Sequence, residues 1–210
     1  MVATETTQDT RVLELFAELL EYPRPGVAET ARETRALVAS ESAEAASLLA
    51  EFAAFADRTP HNTLEEVFTA TFDLAASCHP YIGFHLFGEQ YKRSVFLLEL
   101  KDLYQKYGFT AKGNELQDHV SLMLRFMAIC PNKEVISEIV REALLPTLEP
   151  MTVPPEPESL EEGEEAPQIW DLGDDYRRVL HALRLVLQVR YGAPAELEHI
   201  PIPDQSRLVS

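Results

Sequence analysis

Cysteine is nearly absent from this chain: Cys78 and Cys130 stand far apart and form no CxxC pair. Neither a disulfide framework nor a cysteine-built zinc module can be assembled from them, and a reducing compartment is expected. Long apolar runs are missing too, none approaching the ~20 residues that a membrane span needs. Residues 1–10 are polar and acidic, with no basic stretch followed by an apolar one, so no export signal is expected there. Direct membrane insertion is therefore not expected, and the expected localisation is cytoplasmic. Positive charge is also scarce, with 18 Lys and Arg against 35 Asp and Glu, a formal net charge of −17. Such a polyanion repels nucleic acid and anionic lipid, which removes nucleic acid from the expected partners; a cationic peptide suits it better. No glycine-rich phosphate loop, no repeat of 20 to 50 residues and little period-two alternation are found.

What is present is helical. Hydrophobic residues make up 46% and charged residues 25% of 210 positions, enough to bury one core without help from a metal or disulfide. Apolar spacing of three and four recurs from end to end, which predicts an all-α, single-domain helical bundle. Val12, Phe16, Leu19 and Leu20 define a first helix that stops at Tyr22-Pro23-Arg24-Pro25-Gly26. Two helices are expected between Val27 and Ala56. Thr63 with Glu66 fits a capping box for a helix carrying Leu64, Val67, Phe68 and Phe72 inward, broken from Asp73 to Pro80.

Farther along, Phe96, Leu97, Leu100, Leu103, Tyr104 and Tyr107 predict a central helix from Phe84 or Glu89 to Tyr107, closed by Gly108. Leu116 to Ile129 is expected as the next, with Leu116, Val120, Met123, Leu124 and Met127 on one inward face, and Val135 to Leu144 as another that ends near Pro146. The segment 149–168 carries Pro150, Pro154, Pro155, Pro157 and Pro167 among carboxylates, and reads as a flexible acidic loop before the last helix. From Arg141 to Arg177 the chain has eleven acidic residues and no intervening Lys or Arg. That loop is expected to act as a mobile acidic flap over a binding groove. The resulting division is a disordered tail 1–10, a helical core 11–148, the linker 149–168, a returning helix 169–192 and an extended tail 193–210.

Several residues invite a chemical reading, each beside a plainer one. Asp118 and His119 follow a turn and open a helix, where Asp can cap free amides for ~0.5–2 kcal/mol or belong to a binding surface. Cys78, His79 and His85 are close in sequence but lack a recognised four-ligand spacing, so no metal is expected. Lys92 and Arg93 begin a basic stretch with Lys101, Lys106 and Lys112. They are a solvated helix face or meet an acidic part of a partner or a phosphate. Tyr81, Phe84, Phe87 and Tyr91 suit either a core or a groove for an amphipathic helix.

The stretch from Thr63 to Ile129 also carries a resemblance. Phe68-Thr69-Ala70-Thr71-Phe72-Asp73-Leu74 is similar to an aromatic-x-x-Thr-Phe-Asp signature, and Cys78-His79-Pro80-Tyr81 follows it. Then come His85-Leu86-Phe87-Gly88-Glu89 with Lys92-Arg93, Tyr104-Gln105-Lys106-Tyr107-Gly108-Phe109, and Glu115-Leu116-Gln117-Asp118-His119. In this order they resemble the NarJ branch of the TorD/DmsD/NarJ family of redox-enzyme maturation chaperones. Gln117 stands where that family's acidic-x-Pro-Asp-His box has proline.

The resemblance implies a helical-bundle chaperone, not an enzyme. It would bind the catalytic subunit of a molybdenum oxidoreductase, often at its N-terminal leader, with a nitrate reductase α-subunit as the leading client. No cofactor would be bound permanently; molybdenum cofactor insertion into the client would be assisted. The implied client-binding residues are Glu115, Gln117, Asp118, His119, Tyr81, His85, Phe87, Glu89, Lys92 and Arg93. A monomer is expected, with a domain-swapped dimer as the variant. Two competing readings are a small metal-dependent enzyme using His79, His85, Asp118 and His119, and a structural adaptor without a part in cofactor insertion.

Overall fold

The structure, a computed structural model, describes residues 2–74, 78–111, 113–153 and 174–192, and side chains outside 2–8 and 174. Most of the acidic linker, the tail 193–210 and hence the flap expectation lie outside the described residues. Among those described, the regular elements are helices, as the apolar periodicity predicts.

Helix α1 spans Val2–Leu19, so the backbone is already helical where the polar composition predicted a disordered tail through residue 10. Low hydrophobicity alone does not forbid a helix that propagates outward from an anchored segment. Here Val12, Leu15, Phe16 and Leu19 are fully buried and provide that anchor. Gly26, at φ 98°, supplies the left-handed turn into α2, Val27–Val38. The Ser42 side chain accepts a bond from the Ala45 amide at 3.1 Å and starts α3, Ala43–Arg58.

Helix α4, His61–Thr69, begins directly after Pro60 and has no side-chain cap. The expected Thr63–Glu66 capping box is therefore not used. Pro60 fixes the chain entry, leaving Thr63 inside the first turn rather than before it. A π-helical turn, Ala70–Leu74, extends α4 and places Phe72 inward and Leu74 outward.

The single helix expected from residue 84 or 89 to 107 is two: α5, Ile82–Phe87, and α6, Tyr91–Lys106. Gly88, at φ 62°, separates them. Nor is α6 central, since only Leu100 and Tyr104 are buried along it. Gly108 does close it at φ 70°, with the Phe109 amide donating to the Tyr104 carbonyl at 2.8 Å.

Helix α7 spans Val120–Ile129, shorter than the expected start at Leu116, which is exposed instead of inward-facing. Helix α8, Lys133–Ile139, is capped by the Asn132 side chain and runs through a π-helical turn, Val140–Leu144, into α9, Leu145–Met151. Pro146 thus sits in the first turn of α9 and does not terminate the helix. The wide turn lets Leu145 donate to Val140, so the ladder is already out of α register where the proline amide is missing.

Helix α10, Asp174–Tyr191, packs on α3 and α9, while α1 packs on α2 and α7. Its fully buried Tyr176 sits edge-on to Phe52, Phe68 and Phe72 at 5.0, 5.3 and 5.6 Å. At its other end Arg190 donates to both Glu41 carboxylate oxygens at 2.7 Å and reaches Asp9 at 3.1 Å. That bidentate pair ties the last turn of α10 to the α2–α3 corner and to α1.

Candidate functional site

The α4–α5 connection and the segment before α7 lie side by side. Tyr81 and His119 form an isolated antiparallel bridge: the Ile82 amide donates to the Asp118 carbonyl at 2.8 Å, and the Val120 amide to the Pro80 carbonyl at 2.8 Å. Two segments about 40 residues apart in sequence are thereby pinned edge to edge, and their side chains gather around the bridge.

Asp118 is fully buried and does not cap α7. Its carboxylate accepts from Arg93 Nε at 3.0 Å and from Nη2 at 3.5 Å, joining α6 to the bridge. A buried carboxylate needs such a donor, since its unpaired charge would cost several kcal/mol. The cap is His119, whose Nδ1 accepts from the Ser121 amide at 3.3 Å and lies 2.7 Å from the Ser121 hydroxyl. The Arg93 guanidinium also lies 5.5 Å from the Tyr81 ring centre, and Tyr81 meets the His119 ring edge-on at 5.4 Å.

Glu115 and Gln117 complete the arrangement. The Tyr81 hydroxyl donates to Glu115 Oε2 at 3.1 Å, and the Tyr104 hydroxyl donates to the Gln117 carbonyl at 2.8 Å. Burial first, then the Glu115 carboxylate, pushes the Tyr81 phenol up to about 12. Burial lowers the His119 imidazole, against the upward pull of Glu115, Glu21, Asp118 and Asp73. Burial thus outweighs the pull of four carboxylates on this ring.

Of the ten expected site residues, Tyr81, Arg93, Glu115, Gln117, Asp118 and His119 come together in one network. His85 and Phe87 belong to an adjoining layer. The His85 Nε2 donates to the His79 carbonyl at 2.8 Å, and Phe87 packs on Phe96 at 5.5 Å between centroids. Burial lowers the His85 imidazole as well. Glu89 and Lys92 are exposed and join none of these bonds. Within the aromatic cluster Tyr81, Phe84 and Phe87 are half-buried, whereas Tyr91 points to solvent.

Five further residues were missed. Glu21 and Asp73 contribute to the acidic surroundings of His119, and their neighbours Tyr22 and Leu74 are 53% and 73% exposed. The Tyr22 phenol is held above its ordinary value by partial loss of water, then by Glu65 and Asp73. Gly83 is the fifth: a Cβ there would lie 2.8 Å from Asp118 Oδ2 and 2.9 Å from Phe96 Cδ1. Only a residue without a side chain lets the carboxylate pass. An isolated helical glycine was the available signal for Gly83. Asp73 and Leu74 stood in the signature quoted from Phe68 to Leu74, which did not mark them as site residues; Glu21 and Tyr22 had no such signal and are brought in by the α1–α2 turn.

The groups invoked by the enzyme reading are engaged separately. His79 Nδ1 donates to the Phe72 carbonyl at 3.0 Å, His85 to His79, Asp118 accepts from Arg93, and His119 faces Ser121. Among the described residues, no three His, Cys, Asp or Glu side chains converge as a metal-ligand set. Nor is any described helix long and apolar enough to cross a membrane.

A network built on the Glu115–His119 segment, flanked by α4 and α7, lies inside residues 36–149. Those residues match the family described as nitrate reductase delta subunit, more than half of the chain. The chain belongs to this family. Within curated proteins it is similar to the nitrate reductase molybdenum cofactor assembly chaperone NarJ of Bacillus subtilis (strain 168), 36% identical over 81 residues. That alignment covers 39% of this chain and 44% of the relative, so less than half of the relative's length is spanned. Among solved structures, a redox enzyme maturation protein from Archaeoglobus fulgidus superposes with a TM-score of 0.54 at 22% identity, over 85% of this chain and 93% of that one. At that identity the likeness speaks for the fold. The family membership agrees with the resemblance carried by the motifs between Thr63 and Ile129.

Proposed function

We propose that this chain is an assembly chaperone for a molybdenum-containing reductase, a binding protein and not an enzyme. Its client is the catalytic subunit, with the α-subunit of a nitrate reductase as the best-fitting choice. The chaperone holds the client's N-terminal segment while molybdenum cofactor is inserted into the client. Family membership supports the general role, and the name of the Bacillus relative supports the cofactor step.

One observation supports the site: exposed Tyr22, Leu74 and Leu116 each adjoin in sequence a carboxylate, Glu21, Asp73 and Glu115, that acts on the buried His119 imidazole, with Glu21 held by Arg125 at 2.9 Å and Glu115 by the Tyr81 hydroxyl. Apolar anchors ringed by negative charge suit a segment that carries both apolar and basic side chains. Arg93, Asp118, Gly83 and Tyr104 hold this surface in shape from behind. The surface needs no resident metal or cofactor for such binding.

The test uses the full chain and a labelled synthetic peptide copying the N-terminal segment of the client's catalytic subunit. Asp73→Lys with Glu115→Lys is expected to weaken binding by about tenfold, the scale of two rim ion pairs. Raised salt should weaken the wild type in the same direction. Equal affinity of both proteins at low salt would remove the proposed site. Full reductase activity and molybdenum content in cells lacking the gene would remove the chaperone role itself.

A further inference from the structure

The outward face of α6 is left over once the acidic site is described. Tyr91 and Leu98 are 82% and 61% exposed, and they lie seven residues apart on one helix. Seven residues make about two turns, so the two side chains stand one above the other, with Val95 between them at i+4. The opposite face sends Arg93, Leu100 and Tyr104 to the bundle. Helix α6 is therefore apolar on two faces, and the described residues cover one. Singly scattered exposed apolar residues are ordinary, but a stripe at i, i+4 and i+7 is the arrangement an amphipathic helix docks against.

Charge says which helix. The sequence has five lysines in all, and Lys92, Lys101 and Lys106, all exposed, lie on α6. By helical geometry Lys92 and Lys106 fall on one flank of the stripe and Lys101 on the other. Lys106 Nζ lies 5.6 Å from the Tyr107 ring centre, which keeps it at the helix end. Glu99 and Asp102 share this face and are outnumbered by the lysines. A helix this rich in lysine is unusual in a chain of net charge −17.

We propose that this face is a second docking surface, taking an acidic helical segment of a partner polypeptide whose apolar side chains seat on Tyr91, Val95 and Leu98. It is separate from the acidic site around His119, and goes beyond the proposed recognition of a basic client segment. The two surfaces select opposite charge. A basic amphipathic segment is drawn to Asp73 and Glu115, and an acidic one to Lys92 and Lys101. A chaperone with both can hold two different segments at once.

The experiment titrates the full chain into a fluorescein-labelled synthetic helix with leucines at i, i+4 and i+7 flanked by glutamates. The control is the same peptide with every glutamate replaced by lysine. The acidic peptide should bind, with carbodiimide cross-links from its carboxylates to Lys92 and Lys101. Tyr91→Ser with Leu98→Ser, and separately Lys92→Glu with Lys101→Glu, should each raise its Kd by about tenfold or more. Tyr91→Ser with Leu98→Ser changes only exposed side chains outside the expected client-binding set, so for that variant helical content and affinity for the client's N-terminal peptide should stay at wild-type values. Equal binding of both variants, absence of binding, or cross-links confined to other lysines would overturn the proposal. Self-association in sedimentation that the Tyr91/Leu98 variant abolishes would give the face to a second copy and overturn it too.

Discussion

Helices α6 and α7 follow one another in the chain and are both rich in apolar residues, yet they are used in opposite ways. Eight of the ten residues of α7 are buried, whereas α6 buries two of sixteen. Helix α7 lies against α1 and is apolar nearly all round, as a helix enclosed by protein must be. Helix α6 is held mainly at points: Arg93 on Asp118, Tyr104 on the Gln117 carbonyl, and Tyr104 against Phe109 and Phe126. Apolar content therefore reports that a helix has something to cover, but not that this chain covers it. A helix pinned by a few polar and aromatic contacts can leave a face for another molecule.

The sharpest way to break the contrast is to cut the same kind of side chain from each helix. Phe126→Ala in α7 removes a fully buried ring that packs on Tyr104 at 4.7 Å and on Phe109 at 5.9 Å. A loss of about 3–5 kcal/mol is expected in urea unfolding. Asp118→Ala releases the clasp between α6 and the bridge. Breaking a buried pair costs up to about 5 kcal/mol; about 2–4 is expected here because Arg93 keeps some contact with water. Replacement of both partners, Arg93→Met with Asp118→Leu, should recover much of that, which distinguishes an abandoned charge from a lost contact. Gly83→Ala forces its methyl against the Asp118 carboxylate and should cost about 1–3 kcal/mol by the same assay.

A pH series sharpens the comparison at the base of α7. Burial lowers the His119 imidazole below its ordinary value of about 6.5, so the folded protein resists a proton that the unfolded chain accepts. Above that value the ring is neutral in both states and has no effect. As pH falls below it, stability is lost progressively until the folded ring's own lower value is reached. His119→Gln should flatten part of this acid-side fall in Tm, leaving the share that His85 contributes by the same mechanism. A slope identical to wild type between neutral pH and pH 5 would rule out His119 as its source. The smallest effect belongs to α6: Leu98→Ser should move stability by no more than about 0.5 kcal/mol, as for a side chain that is 61% exposed.

Much of the helical plan was legible because it is local. The Tyr22–Gly26 break, the Gly108 stop and the inward stripe of Val120, Met123, Leu124 and Met127 each depend on residues within a few turns. The misreadings were also local, but concerned competition. Pro60 pre-empted the Thr63 cap, Gly88 split one expected helix into two, and a π-helical turn carried the chain past Pro146. In the site, the Glu115–His119 segment could be picked out by its resemblance to a family box, although that resemblance did not distinguish a cap from a clasp.

By itself, then, the sequence determined the fold class, the succession of most helices, the acidic character and the family, since periodicity, composition and motif order are properties of the chain. Tertiary structure alone decided that Asp118 is buried against Arg93 and that Gly83 must be small. It also set Glu21 and Asp73 within electrostatic reach of His119 and turned one apolar face of α6 outward. Charge energies and burial depend on distances between segments that are remote along the chain, and those distances exist only after the bundle has closed.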